Sequence, residues 1–340
     1  MPQDTRPPAA SPLTDRPRDL PWLTRLADAV LGARGCLLTF HRGASGREWS
    51  GLPNRNFYLN LDFLDRLLAY LSRTDWDIVT IGEAVRRAGS PGLATKFVNF
   101  SIDDCYRDTY EAVVPVFRRH NVPVTLFVTT GIPDATLPLA FAGLEQLLLR
   151  DRVRLEHGEM RLASDEARRA AFDRIAARWD GPAIGEHYAR FCAMNDVNPD
   201  DIRRQHAISW EMLEDLSRDP LVEIGAHSVS HPHISSLAPD AAAREIGGSR
   251  ERLEARLGLP VRHFAFPYGR AADCGPRDFA IARQCGFDSA STTRKGLVRA
   301  GTPVDRLPRV TLNGNQQSLF LAEGHLSGVS GFLARRLGRV

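Results

Sequence analysis

A chain of 340 residues, 43% hydrophobic and 25% charged, has the composition of a globular protein and the length of one large α/β domain with additions, not of a disordered, collagenous or membrane-spanning chain. The formal net charge is +3, and lysine occurs only at Lys96 and Lys295, so arginine supplies nearly all of the 44 basic residues. Scattered arginine balanced by 41 acids is no nucleic-acid footprint. Five cysteines without a Cys-x-x-Cys pair suggest neither a disulfide framework nor a thiolate zinc site, and are expected as reduced, buried thiols.

Residues 1–34 are rich in proline and are expected to form a flexible segment. The first twenty residues lack the apolar run of a secretory signal, so a cytoplasmic protein is expected. Beyond them, short apolar runs alternate with amphipathic stretches, the pattern of βαβ units around a parallel sheet or barrel. Strands are predicted at 36–40, 77–80, 96–102, 124–128, 221–224, 263–266, 287–290 and 309–312. Asn60 has the position of an N-cap for a helix carrying Leu61, Leu64, Leu67, Leu68 and Leu71, and Thr80 with Glu83 has capping-box spacing. Tyr110, Val113, Val114 and Phe117 mark a third helix, and Ile246, Leu253 and Leu257 a fourth. From about 134 to 206 the composition shifts to Arg, Ala, Asp and Glu with leucines at helical spacing, which predicts a helical insertion between two strands. Residues 313–340 are expected as a helical tail. Its end, FLARRLGRV, reads as a helix packed on the body or as a contact with an anionic membrane surface.

Three strand ends carry chemistry. NFSIDDC ends in Asp103 and Asp104; neighbours on a regular strand point to opposite faces, so both reach one site only where the strand gives way to a loop, and capping of the helix near Asp108 is the competing reading. EIGAHSVSHPH spaces His227 and His231 by four, which on a helical turn places two imidazoles within reach of one divalent ion. With a carboxylate from another strand end they complete a two-His, one-carboxylate set. HFAFPYG closes a strand at Pro267, Tyr268 and Gly269, either as a structural turn or as a pocket wall whose Tyr268 N–H faces a reacting carbonyl.

These segments, in this order, resemble three motifs of the polysaccharide deacetylases, carbohydrate esterase family four: Ile102-Asp103-Asp104, then His227 through His231, then Phe266-Pro267-Tyr268-Gly269. The resemblance covers about Gly35 to Leu312 and implies a distorted TIM-like (β/α) barrel over 35–312. It further implies a metal-dependent N-deacetylase in which Asp103 is the base and Asp104, His227 and His231 hold the metal. Zinc is the expected ion, with cobalt, nickel and manganese as alternatives. Two positions depart from the family pattern. Ala265 stands where many members have an Arg that orients the catalytic Asp, and Leu307-Pro308-Arg309 ends in Arg where many have the acid His. Arg309 is the expected substitute for the first, with Arg42 second. For the acid, the LLTFHRG segment resembles that of the branch acting on poly-N-acetylglucosamine exopolysaccharides, which points to His41; His325 or a water held by Arg309 is the fallback. Histidine suits an acid that must protonate an amine leaving group near neutral pH.

The implied substrate is an N-acetylated saccharide, whether polysaccharide, oligosaccharide or lipid-linked precursor. Trp49, Tyr58 and Tyr268 are the aromatic candidates for a sugar-lining cleft. A small non-carbohydrate amide or ureide on the same barrel, or a non-catalytic sugar-binding protein with a decayed site, are the competing readings.

Overall fold

The computed structural model describes residues 34–90, 92, 95–179, 183–315 and 317–329. The proline-rich segment up to residue 33 and the basic end of the tail lie outside the described residues. The strands are β1 (Gly35–Phe40), β2 (Arg42–Ala44), β3 (Tyr58–Asn60), β4 (Trp76–Ile78), β5 (Lys96–Asp104), β6 (Val124–Val128), β7 (Arg152–Leu155), β8 (Gly158–Arg161), β9 (Val222–Ala226), β10 (His263–Ala265), β11 (Ser289–Ser291) and β12 (Val310–Thr311). Eight of them form one parallel sheet in the order β11-β10-β9-β6-β5-β1-β12, with β4 beside the first half of β5. These correspond to the eight strands expected from the sequence. A parallel bridge between Ser291 and Leu307, just before β12, brings the two ends of the curled sheet together, giving the distorted (β/α) barrel.

Side-chain parity explains how the barrel is filled. Along β5 the outward residues Val98, Phe100 and Ile102 join Cys36, Leu38 and Phe40 of β1 and Leu126 and Val128 of β6 in the main apolar cluster under the helices. The inward set is different: Thr39 of β1, Asn99, Ser101 and Asp103 of β5, and Thr125 of β6 are all buried and polar. Alternation of period two therefore puts an aliphatic coat outside and a polar lining inside, with Leu37, Phe97 and Phe127 in a smaller inner cluster. All parallel strands deliver their C-terminal ends to one face, the usual place of active sites in such barrels.

Local signals set the helices. The Asn60 side chain accepts from the Asp62 and Phe63 amides and starts the helix Leu61–Leu71, whose leucines are buried. Thr80 caps Ile81–Gly89 through the Glu83 amide; the Glu83 carboxylate pairs with Arg86 and Arg87, so the cap forms without the reciprocal half of a capping box. The helix expected from Tyr110 onward opens as a π-helical turn, Thr109–Val113, before Val114–His120. Pro115 has no N–H to continue the regular ladder. The insertion is helical at Ala140–Leu148, Asp165–Ala176, Ile184–Met194 and Pro199–His206, and it also contains the antiparallel β7–β8 hairpin, which the helical reading did not anticipate. It has its own apolar cluster, with Leu144, Leu148, Phe172, Trp179 and Phe191. Among the described residues no helix is long and apolar enough to cross a membrane. The five cysteines are free, four of them buried.

Phe264 of β10 is fully buried and packs on Phe266 and Phe287 at ring distances of 4.9 and 5.2 Å. Phe264→Ala is expected to lower the unfolding free energy by about 3–5 kcal/mol, read from urea titration.

Candidate active site

At the C-terminal face of the barrel the backbone departs from regular geometry. Of the eight described non-glycine residues with positive φ, five lie here: Asp104, Cys105, Ser228, His231 and Tyr268. Such conformations cost on the order of 1–3 kcal/mol each and persist only where surrounding structure enforces them. The reversal at Asp104, with φ of 67°, separates the two adjacent carboxylates. Asp103 keeps its strand geometry and points into the barrel, while Asp104 turns toward the His227 loop.

Asp103 is 2% exposed and faces Arg309, which is fully buried. The guanidinium grips the carboxylate with both terminal nitrogens, at 2.7 and 2.8 Å. Its remaining donors reach the Thr39 and Ser101 hydroxyls, both at 3.1 Å, and the Thr292 carbonyl at 3.2 Å. Burial acts to raise the Asp103 pKa, but the charge of Arg309, followed by His227, the Arg309 hydrogen bonds and His41, outweighs it and holds the carboxyl well below the usual carboxylate range. Arg309 therefore stands opposite Asp103. Arg42 does not: its guanidinium pairs with Asp108, whose carboxylate makes no side-chain cap for the following helix.

Asp104 Oδ1 lies 3.6 Å from His227 Nε2 and 3.3 Å from His231 Nε2, and one ligand atom from each residue lies within 4.8 Å of the others. Two donors about 2.1 Å from an ion in tetrahedral geometry stand about 3.4 Å apart, so the two Asp104–imidazole distances fit a shared metal. The donor chemistry fits as well. His227 Nδ1 lies 2.7 Å from the Ala265 carbonyl, which can only accept, so Nδ1 carries the proton and Nε2 presents its lone pair toward Asp104. Burial, reinforced by His231 and Arg309 against the pull of the two aspartates, pushes the His227 pKa down to about 4 and keeps the ring neutral. Asp104 Oδ1 is buried without a hydrogen-bond partner, an arrangement costly for a carboxylate oxygen unless a cation completes it.

The two imidazoles do not meet on a helical turn, as their spacing suggested. Residues 227–231 form a loop, and left-handed Ser228 and His231 bring the rings to 5.1 Å. Glu245, on the helix Pro239–Leu257, accepts from the Val229 and Ser230 amides at 3.0 and 2.8 Å. From the other side the Gly131 amide donates to the Val229 carbonyl at 2.8 Å. A Cβ at Gly131 would stand 2.6 Å from that oxygen, so only glycine allows the approach. Neither residue is identifiable from local sequence.

Pro267 follows β10, and the Tyr268 ring, 37% exposed, lies 4.8 Å from His231. His233 stacks on Tyr268 at 3.8 Å, nearly parallel, and is held by Asp273 at 2.9 Å. Tyr58 is buried and bonded to Glu145, and Trp49 packs with Ala44, Leu52 and Tyr58; of the three aromatic candidates only Tyr268 is an exposed ring beside the ligand cluster. His41 directly follows β1 and stacks on Phe57 at 4.4 Å; among the described residues its ring makes no hydrogen bond. His325 lies on the helix Leu319–Leu326, its carbonyl against Cys36 at the start of β1, the end of the barrel away from the site.

The polysaccharide deacetylase family model matches residues 92–290, a stretch that contains Asp103, Asp104, His227, His231, Pro267 and Tyr268. The chain belongs to the polysaccharide deacetylase family. That places the deacetylase among hydrolases of non-peptide carbon–nitrogen bonds. No curated protein sequence matches it. Among solved structures it is similar to the Streptococcus pyogenes deacetylase PplD in complex with acetate, at 16% identity and a TM-score of 0.57 over 84% of this chain and 95% of that one. It is also similar to IcaB from Ammonifex degensii, at 20% identity and 0.56 over 86% and 98%. The deacetylase domain of BpsB from Bordetella bronchiseptica follows at 16% identity and 0.52 over 83% and 96%. These likenesses share the fold.

Truncating Arg309 would leave the Asp103 charge buried and unpaired, so Arg309→Met is expected to cost the deacetylase about 3–5 kcal/mol of stability at neutral pH. Because the folded pKa of Asp103 is depressed, its contribution is present above the unfolded value of about 3.9 and is lost as pH falls through the folded value. Urea titrations at several pH values should show that acid-side loss in the parent and not in Arg309→Met.

Proposed function

We propose that the chain is a divalent-metal-dependent N-deacetylase of N-acetylated amino sugars, with Asp104, His227 and His231 as ligands, Asp103 as base and His41 as acid. The observation that carries this reading is the convergence of one carboxylate and two imidazole donors around a carboxylate oxygen that has no hydrogen-bond partner. Asp104, His227 and His231 would hold a divalent ion, zinc first with cobalt, nickel or manganese as alternatives, which would supply Lewis-acid polarisation of the acetamide carbonyl and lower the pKa of a bound water.

The chain's own residues do the rest. Asp103, kept ionised by Arg309, takes the proton of the attacking water. Its low basicity limits its driving force but guarantees that the basic form is present at neutral pH. The Tyr268 amide, in the turn after Pro267, donates toward the oxyanion as the carbonyl becomes tetrahedral. His41, with an imidazole not engaged in hydrogen bonds among the described residues, protonates the departing nitrogen. An exposed Tyr268 ring beside the site, backed by His233, offers a flat apolar face suited to a sugar ring and favours a saccharide over a small amide or ureide. The likeness of the His41 segment to the exopolysaccharide branch favours a poly-N-acetylglucosamine type of substrate.

Purified protein is expected to hold close to one divalent ion per chain and to release acetate from N-acetylglucosamine oligomers. His227→Ala should lose both. Asp103→Asn should retain the ion and lose at least about 10²-fold in kcat; loss of the ion there, with retention in Asp104→Asn, reverses the two roles. No bound ion, and no acetate release after adding zinc, cobalt, nickel or manganese, would leave the binding-protein reading.

An acid is needed most where the leaving group is poorest. His41→Ala should therefore keep the ion and lose on the order of 10²-fold on the acetamide, while turnover of an aryl acetate, whose phenolate leaves without protonation, falls by only about twofold. Equal losses on the two substrates would make His41 structural.

A further inference from the structure

The insertion after β6 contributes none of the groups above, yet it reaches them through one buried cluster centred on Arg42. Arg42 is 5% exposed. Its guanidinium lies between the rings of Tyr58 and Tyr106, at 4.6 and 4.7 Å. The loop after β5 and the insertion supply its polar partners. From the loop after β5, Asp108 accepts from Nε at 3.0 Å and from the Gly43 amide at 2.8 Å. From the insertion, His206 Nδ1 accepts from a terminal nitrogen at 3.2 Å, and Glu145 Oε1 stands 3.7 Å from the other. The Tyr58 hydroxyl, on β3, donates to Glu145 at 2.5 Å, and the Asn54 amide, just before it, to the second oxygen at 3.3 Å. His206 is oriented in turn by Gln146, at 3.0 Å from Nε2, so its Nδ1 is the acceptor that Arg42 needs.

A buried guanidinium left without partners is strongly unfavourable, so these contacts hold the backbone at 42–43 in one place. The residue before Arg42 is His41. Its ring stacks on the Phe57 face, and Phe57 in turn packs edge-on against Tyr106 at 6.4 Å. The position of His41 is therefore set on one side by a stack and on the other by an anchor whose acidic and imidazole partners come partly from the insertion. We propose that Glu145 and His206 are positioning residues which, through Arg42, hold His41 at the mouth of the barrel, making the insertion a working part of the catalytic apparatus. This inference rests on the reading of His41 as the acid.

The test uses the full chain loaded with its ion. Glu145→Gln removes the charge facing Arg42 and keeps the shape. Tyr58→Phe removes only the hydroxyl that holds Glu145 and serves if the first variant fails to fold. Each is expected to keep its ion and to lose about 10-fold in kcat on the N-acetylated oligomer with little change in KM, as a displaced catalytic group does, while aryl acetate turnover changes by less than about twofold. In the His41→Ala background the same substitutions should cost nothing further, the non-additivity of residues acting through one group. Equal losses on amide and ester, or a loss that persists in full without His41, would overturn the proposal, as would unchanged kcat in both variants. If His41→Ala itself strikes amide and ester alike, the acid reading has failed instead, and that result is visible before either positioning variant is made.

Discussion

Arg309 carries a full positive charge into the interior of a barrel with no water-facing outlet for its side chain, and the way that charge is met dictates much of what surrounds it. Asp103 supplies the counter-charge, but a guanidinium has five donors, so the inward positions of β1 and β5 must be hydroxyls, at Thr39 and Ser101, where aliphatic residues would otherwise fill the space. The Phe127 ring lies 5.3 Å from the guanidinium carbon. The pair also decides which of the two adjacent aspartates is free. Asp103 is engaged twice over by Arg309, and the backbone reversal at Asp104 sends the second carboxylate to the two imidazoles. A polar interior, a strained strand end and a separated pair of carboxylates follow from a single buried ion pair.

The eight strands of the barrel were readable because each is a short apolar run flanked by turn residues, and their order followed from the alternation with helices. The polar interior was also readable in hindsight. In KFVNFSIDD the residues Asn99, Ser101 and Asp103 fall on one face by parity alone, which distinguishes a strand lining a polar barrel from one buried on both sides. What local sequence did not carry were the contacts between distant segments. Glu245 supports the His227 loop from a helix on which nothing in the local pattern sets it apart from Asp240, Glu251 and Glu254, and Gly131 meets Val229 across nearly a hundred residues of insertion and strand. The spacing of His227 and His231 predicted their proximity for the wrong reason, since a helical i, i+4 pair and a left-handed loop converge on similar ring separations. Tyr58, placed by its type among sugar-facing aromatics, is drawn into the Arg42 cluster because a buried guanidinium and a buried carboxylate both need it.

The site is also where the fold stores its strain. Left-handed residues at Asp104, Cys105, Ser228, His231 and Tyr268 are each unfavourable in isolation; the Thr129 and Thr130 amides donate to the Asp104 and Ser228 carbonyls, the Thr293 hydroxyl to that of Tyr268, and the His231 amide to the Ser228 hydroxyl. A mouth built this way is stiff, because relaxing one residue requires breaking contacts made by others. That stiffness suits the proposed reaction, in which a carboxylate, two imidazoles and an amide donor would keep fixed distances while a planar carbonyl becomes tetrahedral.

The separation in sequence of the interior pair bears on how the molecule is made. Asp103 and Arg309 are 206 residues apart, and Arg309 and Thr39 are 270 apart. On the ribosome, strands β1, β5 and β6 emerge long before the arginine that neutralises their interior, so a nascent sheet holds an acidic well with no counter-charge and an open edge along β1 where β12 will pair. Such long-range closure slows folding and leaves the unfinished edge exposed to other chains. Closure therefore waits for the last strand, and the β1 edge that β12 covers stays unpaired until residue 309 has left the exit tunnel.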